Sequence, residues 1–247
     1  MLSEDRKNRI KELIERSYQR GIFTYSDFLS PTSVAEIIEY FRGEEITAFG
    51  GVDYAERKIL RLGNSENFYS EKEFPITLIE IVLTGGKFAT AITHRDVLGA
   101  ILNLGIERQK LGDMFVNGNF AYIVAHSLVV PLILSELKKV GRNSVTVKVV
   151  DFFPEDVAPR KTEREFTVSS NRIDGIICKV FNLSRESGVN LCKSGLVSVN
   201  GKIIEQAGRS LNISETVAVK GYGKFTFLGE SGISKKGKLY VTVEVFN

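Results

Sequence analysis

The residues best placed to do chemistry lie in the last third of the chain, where cations border short predicted elements. Arg172 and Arg185 stand at two predicted helix starts, Lys193 closes the second helix, and Lys202, Lys220 and Lys224 border turns. A helix start presents free backbone N–H groups and the positive end of the helix dipole, which favours phosphate. On charge alone, a solvated basic face is an equally good reading. Other constellations offer less. His94-Arg95-Asp96 spells a kinase catalytic-loop triplet, but position 101 is Ile rather than Asn and no Asp-Phe-Gly follows. Gly50-Gly51 and Gly85-Gly86 are isolated pairs, with neither a dinucleotide fingerprint nor a P-loop lysine. Cys178, Cys192, His94 and His126 do not build the usual four-ligand zinc site, and the two cysteines read as buried small hydrophobes. No metal, cofactor or small-molecule substrate is expected.

These residues need elements to hold them. Ile173, Ile176, Ile177 and Val180 recur at helical spacing after Arg172, and Ser184 is a good cap for a helix from Arg185 to Lys193 that Gly195 closes. Val197–Val199 and 202–204 flank Asn200-Gly201, a type I′ hairpin signal. Val217–Lys220 and Phe225–Leu228 are strands around Gly221-Tyr222-Gly223. Two small helices on a compact twisted sheet are expected.

In the front of the chain, residues 3–20 and 32–41 read as amphipathic helices, with strand-like pieces near 46–49 and 58–62. Ile76–Leu83 reads as a buried strand, and Thr93 caps a helix ending near Gly105. Strands at 114–116 and 120–124 flank Asn117-Gly118-Asn119. A helix from about Ser127 to Val140 and a strand at 144–150 follow. Strand, helix, strand, strand, helix, strand is the split βαβ, or ferredoxin-like, order shared with RRM-type domains. Phe120 and Tyr122 alternate on one of its strands and are candidates for base stacking, although period-two aromatics are more often core. Residues 151–165 hold two prolines and eight charges and read as a linker. The expected organisation is α+β: an N-terminal α/β domain (1–75), an RRM-like domain (76–150), a linker (151–168) and a C-terminal domain (169–247).

The 247 residues carry a net charge of only +3, but residues 1–75 hold 11 basic and 14 acidic side chains while residues 166–247 hold 11 and 6. That asymmetry points to an anionic partner for the back of the chain. The start, MLSEDRKNRIKEL, lacks the apolar core of a secretion signal, and no apolar run reaches the ~20 residues of a membrane span. A soluble, cytoplasmic protein with no membrane partner is expected.

Residues 172–204 (RIDGIICKVFNLSRESGVNLCKSGLVSVNGKII) and 219–225 (VKGYGKF) resemble the S-four RNA-binding domain. The resemblance rests on Arg172-Ile173-Asp174, Ser184-Arg185, Ser194-Gly195, Val199-Asn200-Gly201 and Lys220-Gly221-x-Gly223-Lys224. It implies contacts to structured RNA from Arg172, Arg185, Lys193, Lys220 and Lys224, with Ser184, Lys202 and Tyr222 beside them. Asp174 is then a helix-start acid or the partner of a neighbouring base. Gly188 departs from the usual alanine, which predicts a less rigid second helix. Residues 49–58 (FGGVDYAERK) and 93–116 (THRDVLGAILNLGIERQKLGDMFV) further resemble the YlmH-like bacterial proteins. This adds Arg95 as an RNA contact or structural cap. It implies a non-catalytic partner of ribosomal RNA and tRNA on large ribosomal subunits obstructed by peptidyl-tRNA, with a link to cell division. The competing expectations are an RNA-modifying enzyme using the S-four domain as its anchor, and a division adaptor using the acidic front.

Overall fold

The computed structural model describes residues 2–63, 73–84 and 90–246. The expected features that fall outside these residues include Gly85-Gly86. Among the described residues no helix is long and apolar enough to cross a membrane. The chain is a mixed α/β protein with antiparallel sheets, divided into two compact units, Met1–Ala158 and Pro159–Asn247.

In the first unit, α1 (Glu4–Arg20) buries Ile10, Leu13, Ile14 and Ser17, and Gly21 ends it in the left-handed conformation at φ 62°. In α2 (Pro31–Tyr40) proline occupies the first turn, and the Ser30 hydroxyl accepts from the Ser33 N–H. Both helices pack through Ile10, Leu13, Ile14 and Ile37 onto Leu60 and Leu62 of a small sheet. That sheet has the order β1 (Thr24–Tyr25), β3 (Ile59–Leu62), β2 (Ile46–Phe49).

The central sheet is built from β4 (Ile76–Leu83), β5 (Leu111–Asn117), β6 (Phe120–His126), β7 (Lys139–Val140) and β8 (Asn143–Val150), in the order β5-β6-β4-β8-β7. Between β4 and β5 lies α3 (His94–Leu102), opened by the expected Thr93 cap, which the structure completes as a capping box: Thr93 accepts from the Asp96 N–H, and the Asp96 carboxylate accepts from the Thr93 N–H. The helix expected to run to Val140 is shorter. It forms α4 (Val130–Glu136), and the chain then makes a β7–β8 hairpin around Gly141 at φ 59°. Val140 is fully buried there, so hairpin pairing satisfies the backbone while the side chain stays in the core. The helix-facing side of the sheet contributes Ile79, Ile81, Ala121, Ile123 and Ala125 to one core. The opposite side packs Tyr122 and Val124 against Phe28, Ile59 and Phe153.

The second unit opens with a correction. Residues 161–168, expected to be linker, form β9 (Lys161–Val168), which pairs along its full length with β14 (Leu239–Phe246). The first five residues of this edge strand are exposed on both faces, which tolerates the charged string KTERE, so its composition imitates a linker. The sheet order is β11 (Lys202–Ile203), β10 (Val197–Val199), β12 (Thr216–Val219), β13 (Gly223–Ile233), β14, β9. Asn200 at φ 49° and Gly201 at φ 83° make the expected turn between β10 and β11. Ile173, Ile176, Ile177 and Val180 of α5 (Ile173–Val180), with Cys192 of α6 (Arg185–Lys193), pack onto Val197, Val217, Phe225, Phe227, Val241 and Val243.

Candidate nucleic-acid interface

Asp174 organises the second unit's helix layer. Its side chain is fully buried, yet it meets two arginines. The Arg172 guanidinium donates to it through Nε at 3.2 Å and Nη2 at 2.9 Å, and Nη2 of Arg185 lies 3.5 Å away. The Gly175 N–H donates to Oδ1 at 2.7 Å. Burial alone would push the Asp174 carboxyl upward, but the Arg172 and Gly175 hydrogen bonds and the charges of Arg185 and Arg172 hold it below its ordinary value. One carboxylate therefore holds two guanidiniums side by side. Their side chains stay 43% and 58% exposed, which leaves donors turned to solvent on both. Asp174 fills both expected roles, as an acid in the first turn of α5 and as the partner of neighbouring bases.

The same geometry corrects the phosphate expectation for the first helix. The Ile173 N–H donates to the Arg209 carbonyl at 2.8 Å, and the Asp174 N–H donates to the Ala207 carbonyl at 3.2 Å. With Gly175 bonded to Asp174, the start of α5 has no free amides for an anion at these positions. The loop that closes it also carries the first arginine, because the Arg172 guanidinium lies over Gly208, about 3.5 Å from where a Cβ would stand. The start of α6 is capped as expected, with the Ser184 hydroxyl accepting from the Ser187 N–H at 3.1 Å. At the start of α5, phosphate affinity must therefore come from guanidinium groups rather than from helix amides.

Gly188 has a different meaning from the one its helix propensity suggests. A Cβ at this position would stand 2.5 Å from Cys178 Sγ and 2.7 Å from the Asp174 carbonyl. The glycine lets α6 approach the backbone of α5 at the turn that holds Asp174. Gly188→Ala is expected to lower stability by about 1 kcal/mol, because overpacking of about 1–3 kcal/mol outweighs the ~1 kcal/mol gained in helix propensity. Thermal unfolding would show a midpoint a few degrees lower; a raised midpoint would show that the helices separate without cost.

The other candidate residues are distributed unevenly. Lys193 is exposed in the last turn of α6. Lys220 is exposed, and its N–H donates to the Leu196 carbonyl at 2.9 Å, which ties the β12–β13 turn to the segment after α6. In that turn Tyr222 is 49% exposed and its ring centroid is 6.0 Å from that of Phe181, so one ring face is available for stacking. Lys202 is exposed on the two-residue edge strand β11. Lys224 does not join the arginines. It alternates with the buried Phe225 and so lies on the sheet face away from the helices, with its ammonium 4.4 Å from the Phe246 ring centroid. Arg95 belongs to the first unit, where it is exposed in the first turn of α3 beside the Thr93–Asp96 cap.

The first unit also assigns work to the two front motifs. Arg57 donates through Nε to the Leu111 carbonyl at 3.0 Å and through Nη2 to the Phe28 carbonyl at 2.9 Å. Asp113 accepts from the N–H groups of Glu56 at 2.5 Å and Arg57 at 3.3 Å. Residues 49–58 are thus bolted onto residues 108–113. The candidate stacking face of the central sheet is covered as well. Tyr122 is 6% exposed, its ring packs 5.2 Å from that of Phe153, and its hydroxyl donates to Glu80 at 2.8 Å. Burial and that carboxylate push the Tyr122 phenol up to about 12. Tyr122 is a core residue, not a base platform.

Comparison with known proteins shows what the chain is similar to. Residues 70–153 match the family model described as "Putative RNA-binding domain in YlmH". Over 238 residues the chain is 27% identical to the Ribosome-associated protein quality control protein P2 of Bacillus subtilis (strain 168), covering 95% of this chain and 90% of that protein. The central third of the chain therefore resembles the RNA-binding domain of YlmH. A solved structure described as Cell division protein ylmH from Streptococcus pneumoniae is similar over 61% of this chain and 93% of its own, at 25% identity and a TM-score of 0.49. The family-model match spans the central sheet and ends at Phe153. The RNA-binding match therefore falls on a domain whose aromatic sheet face is packed.

Proposed function

We propose that this chain is a non-catalytic RNA-binding protein whose main RNA contact is the helix layer of residues 169–247, folded as an S-four domain. The observation that carries the reading is the buried Asp174 carboxylate, which orients Arg172 and Arg185 together with donors turned to solvent. Two fixed forks suit the phosphates of a structured backbone better than any single charge does. The exposed Lys193, Lys220 and Tyr222 extend this surface, with Ser184 as the cap that holds Arg185 in place. The strand order β5-β6-β4-β8, with helices after the first and third strands in sequence, supports a ferredoxin-like reading of residues 76–150. The similarity to a protein named as ribosome-associated and acting in protein quality control supports a cytoplasmic site of action on ribosomal RNA and tRNA. Within that, large subunits obstructed by peptidyl-tRNA are the substrate we assign. A link to cell division is a separate question, answered by whether division proteins co-purify with this chain after RNase treatment.

Sedimentation with ribosomal subunits tests the reading. The protein is expected to travel with large subunits at about 50 mM salt and to be released as salt rises, because phosphate contacts return counterions. Arg172→Gln combined with Arg185→Gln is expected to weaken the association at least tenfold while circular dichroism shows a folded chain. Unchanged sedimentation of the folded double variant would remove these arginines from the interface.

A further inference from the structure

A second cationic feature of the C-terminal unit shares Arg185 with the arginine pair and adds lysines that belong to none of the S-four positions. A groove of about 280 Å³ runs between α5, the turn that joins it to α6, and the end of β9. Its lining includes Lys179 from α5, Arg185 from the start of α6 and Lys238 from the start of β14's hairpin, with Asn182, Ser169 and Ser170 as neutral hydrogen-bonding groups. The lining holds no acidic side chain and no aromatic ring. Lys179, Lys238, Ser169 and Ser170 are all exposed, and neither lysine is in an ion pair among the described residues. Two consecutive helices and a hairpin distant in sequence therefore place three cations around one open groove. The hairpin tip that supplies Lys238 also carries Lys235 and Lys236, both exposed.

The shape and lining select the ligand. Base recognition by stacking needs a ring, and none lines the groove. A closed small-molecule pocket encloses roughly 300–1,000 Å³ and is mostly apolar. An open, smaller, hydroxyl-rich and acid-free groove matches a sugar–phosphate backbone, whose phosphates take the cations and whose 2′-hydroxyls take serine and asparagine groups. We propose that this groove holds a sugar–phosphate segment of the bound RNA, with Lys179 and Lys238 on phosphates to one side of the Arg172–Arg185 pair. The inference rests on the RNA-binding reading and names the residues that continue the track beyond the arginines. Contacts of this kind position the RNA and carry no sequence information.

The test is equilibrium binding of the full chain to a structured ribosomal RNA fragment across a salt series. Lys179→Ala with Lys238→Ala is expected to weaken binding roughly tenfold near 150 mM salt and to reduce the slope of log affinity against log salt by about 1.5–2. The loss should be the same for RNA fragments of different sequence, and Lys179→Arg with Lys238→Arg should restore both affinity and slope. Wild-type affinity and slope in the alanine pair, with the arginine residues still required, would overturn the groove alone. Absence of salt-dependent RNA binding by the wild-type chain would overturn the RNA reading and the groove with it. Polyglutamate displacing the RNA at equal charge concentration, with its own binding lost in the alanine pair, would reassign the groove to an acidic protein.

Discussion

Asp174→Ala is expected to lower the unfolding free energy by about 3 kcal/mol and to weaken RNA binding together with it. The carboxylate is fully buried and accepts from Arg172 at 2.9 and 3.2 Å and from the Gly175 amide at 2.7 Å, with Arg185 at 3.5 Å. Removing one partner of a buried ion pair costs about 3–5 kcal/mol when the charge left behind stays buried. Here both arginines are partly exposed and can rehydrate, which places the cost at the lower end of that range. The rehydrated side chains lose their common anchor, so each phosphate contact must then order a free arginine, at a cost of about 0.5–1.5 kcal/mol per side chain. The pH dependence has a definite sign. The folded-state pKa of Asp174 lies below its ordinary value, so its contribution is complete above about pH 5 and is lost as pH falls through the folded value. Urea unfolding of wild type and variant should therefore differ most near neutrality and converge toward about pH 2. A constant difference across that range would show that packing, not the charge, supplies the stability.

The second large effect is expected in the other unit. Phe28→Ala should cost about 3–5 kcal/mol, as for other buried aromatic truncations. Phe28 is 2% exposed and packs with Ile59, Tyr122 and Val124. Its ring sits where a Cβ on Gly112 would come within 2.8 Å, so the central sheet makes room for it with a glycine. Its backbone is engaged on both sides, with its N–H donating to the Gln109 carbonyl at 2.9 Å and its carbonyl accepting from Arg57. The side chain and backbone together fasten the small sheet to the central one. Hydrogen exchange of the variant should show lost protection in α1, α2 and β1–β3 ahead of the central strands. Uniform loss across the first unit would mean that the two sheets unfold as one cooperative block. A loss below about 1 kcal/mol would show that the neighbouring side chains collapse into the space.

Much of the local frame was legible because it depends on neighbours in sequence. Thr93 and Asp96 are three residues apart, so their reciprocal cap follows from spacing alone, as do Ser184 with Ser187 and the Asn200-Gly201 turn. The buried stripe of Ile173, Ile176, Ile177 and Val180 follows from the 3.6-residue period. The errors came where a partner outside the element itself decided the outcome. The charged run 161–165 reads as linker until β14 arrives some eighty residues later to pair with it. Lys139-Val140 reads as the end of a helix until β8 offers it a hairpin partner. Gly188 reads as a weak helix residue until α5 is placed against it.

The candidate site divides the same way. The sequence by itself determined that Arg172, Asp174 and Arg185 stand at two helix starts, because helix periodicity and capping are local and those residues bracket the apolar stripe. Tertiary structure alone decided what the three do together. It buried Asp174 and brought Arg185 within 3.5 Å of the carboxylate that Arg172 already occupies. It closed the α5 amides with the carbonyls of Ala207 and Arg209, and it sent Lys224 to the far face of the sheet although it lies in the same basic turn as Lys220. The physical reason is that charge is carried by residue type, whereas the partner that burial provides depends on which remote backbone packs beside it.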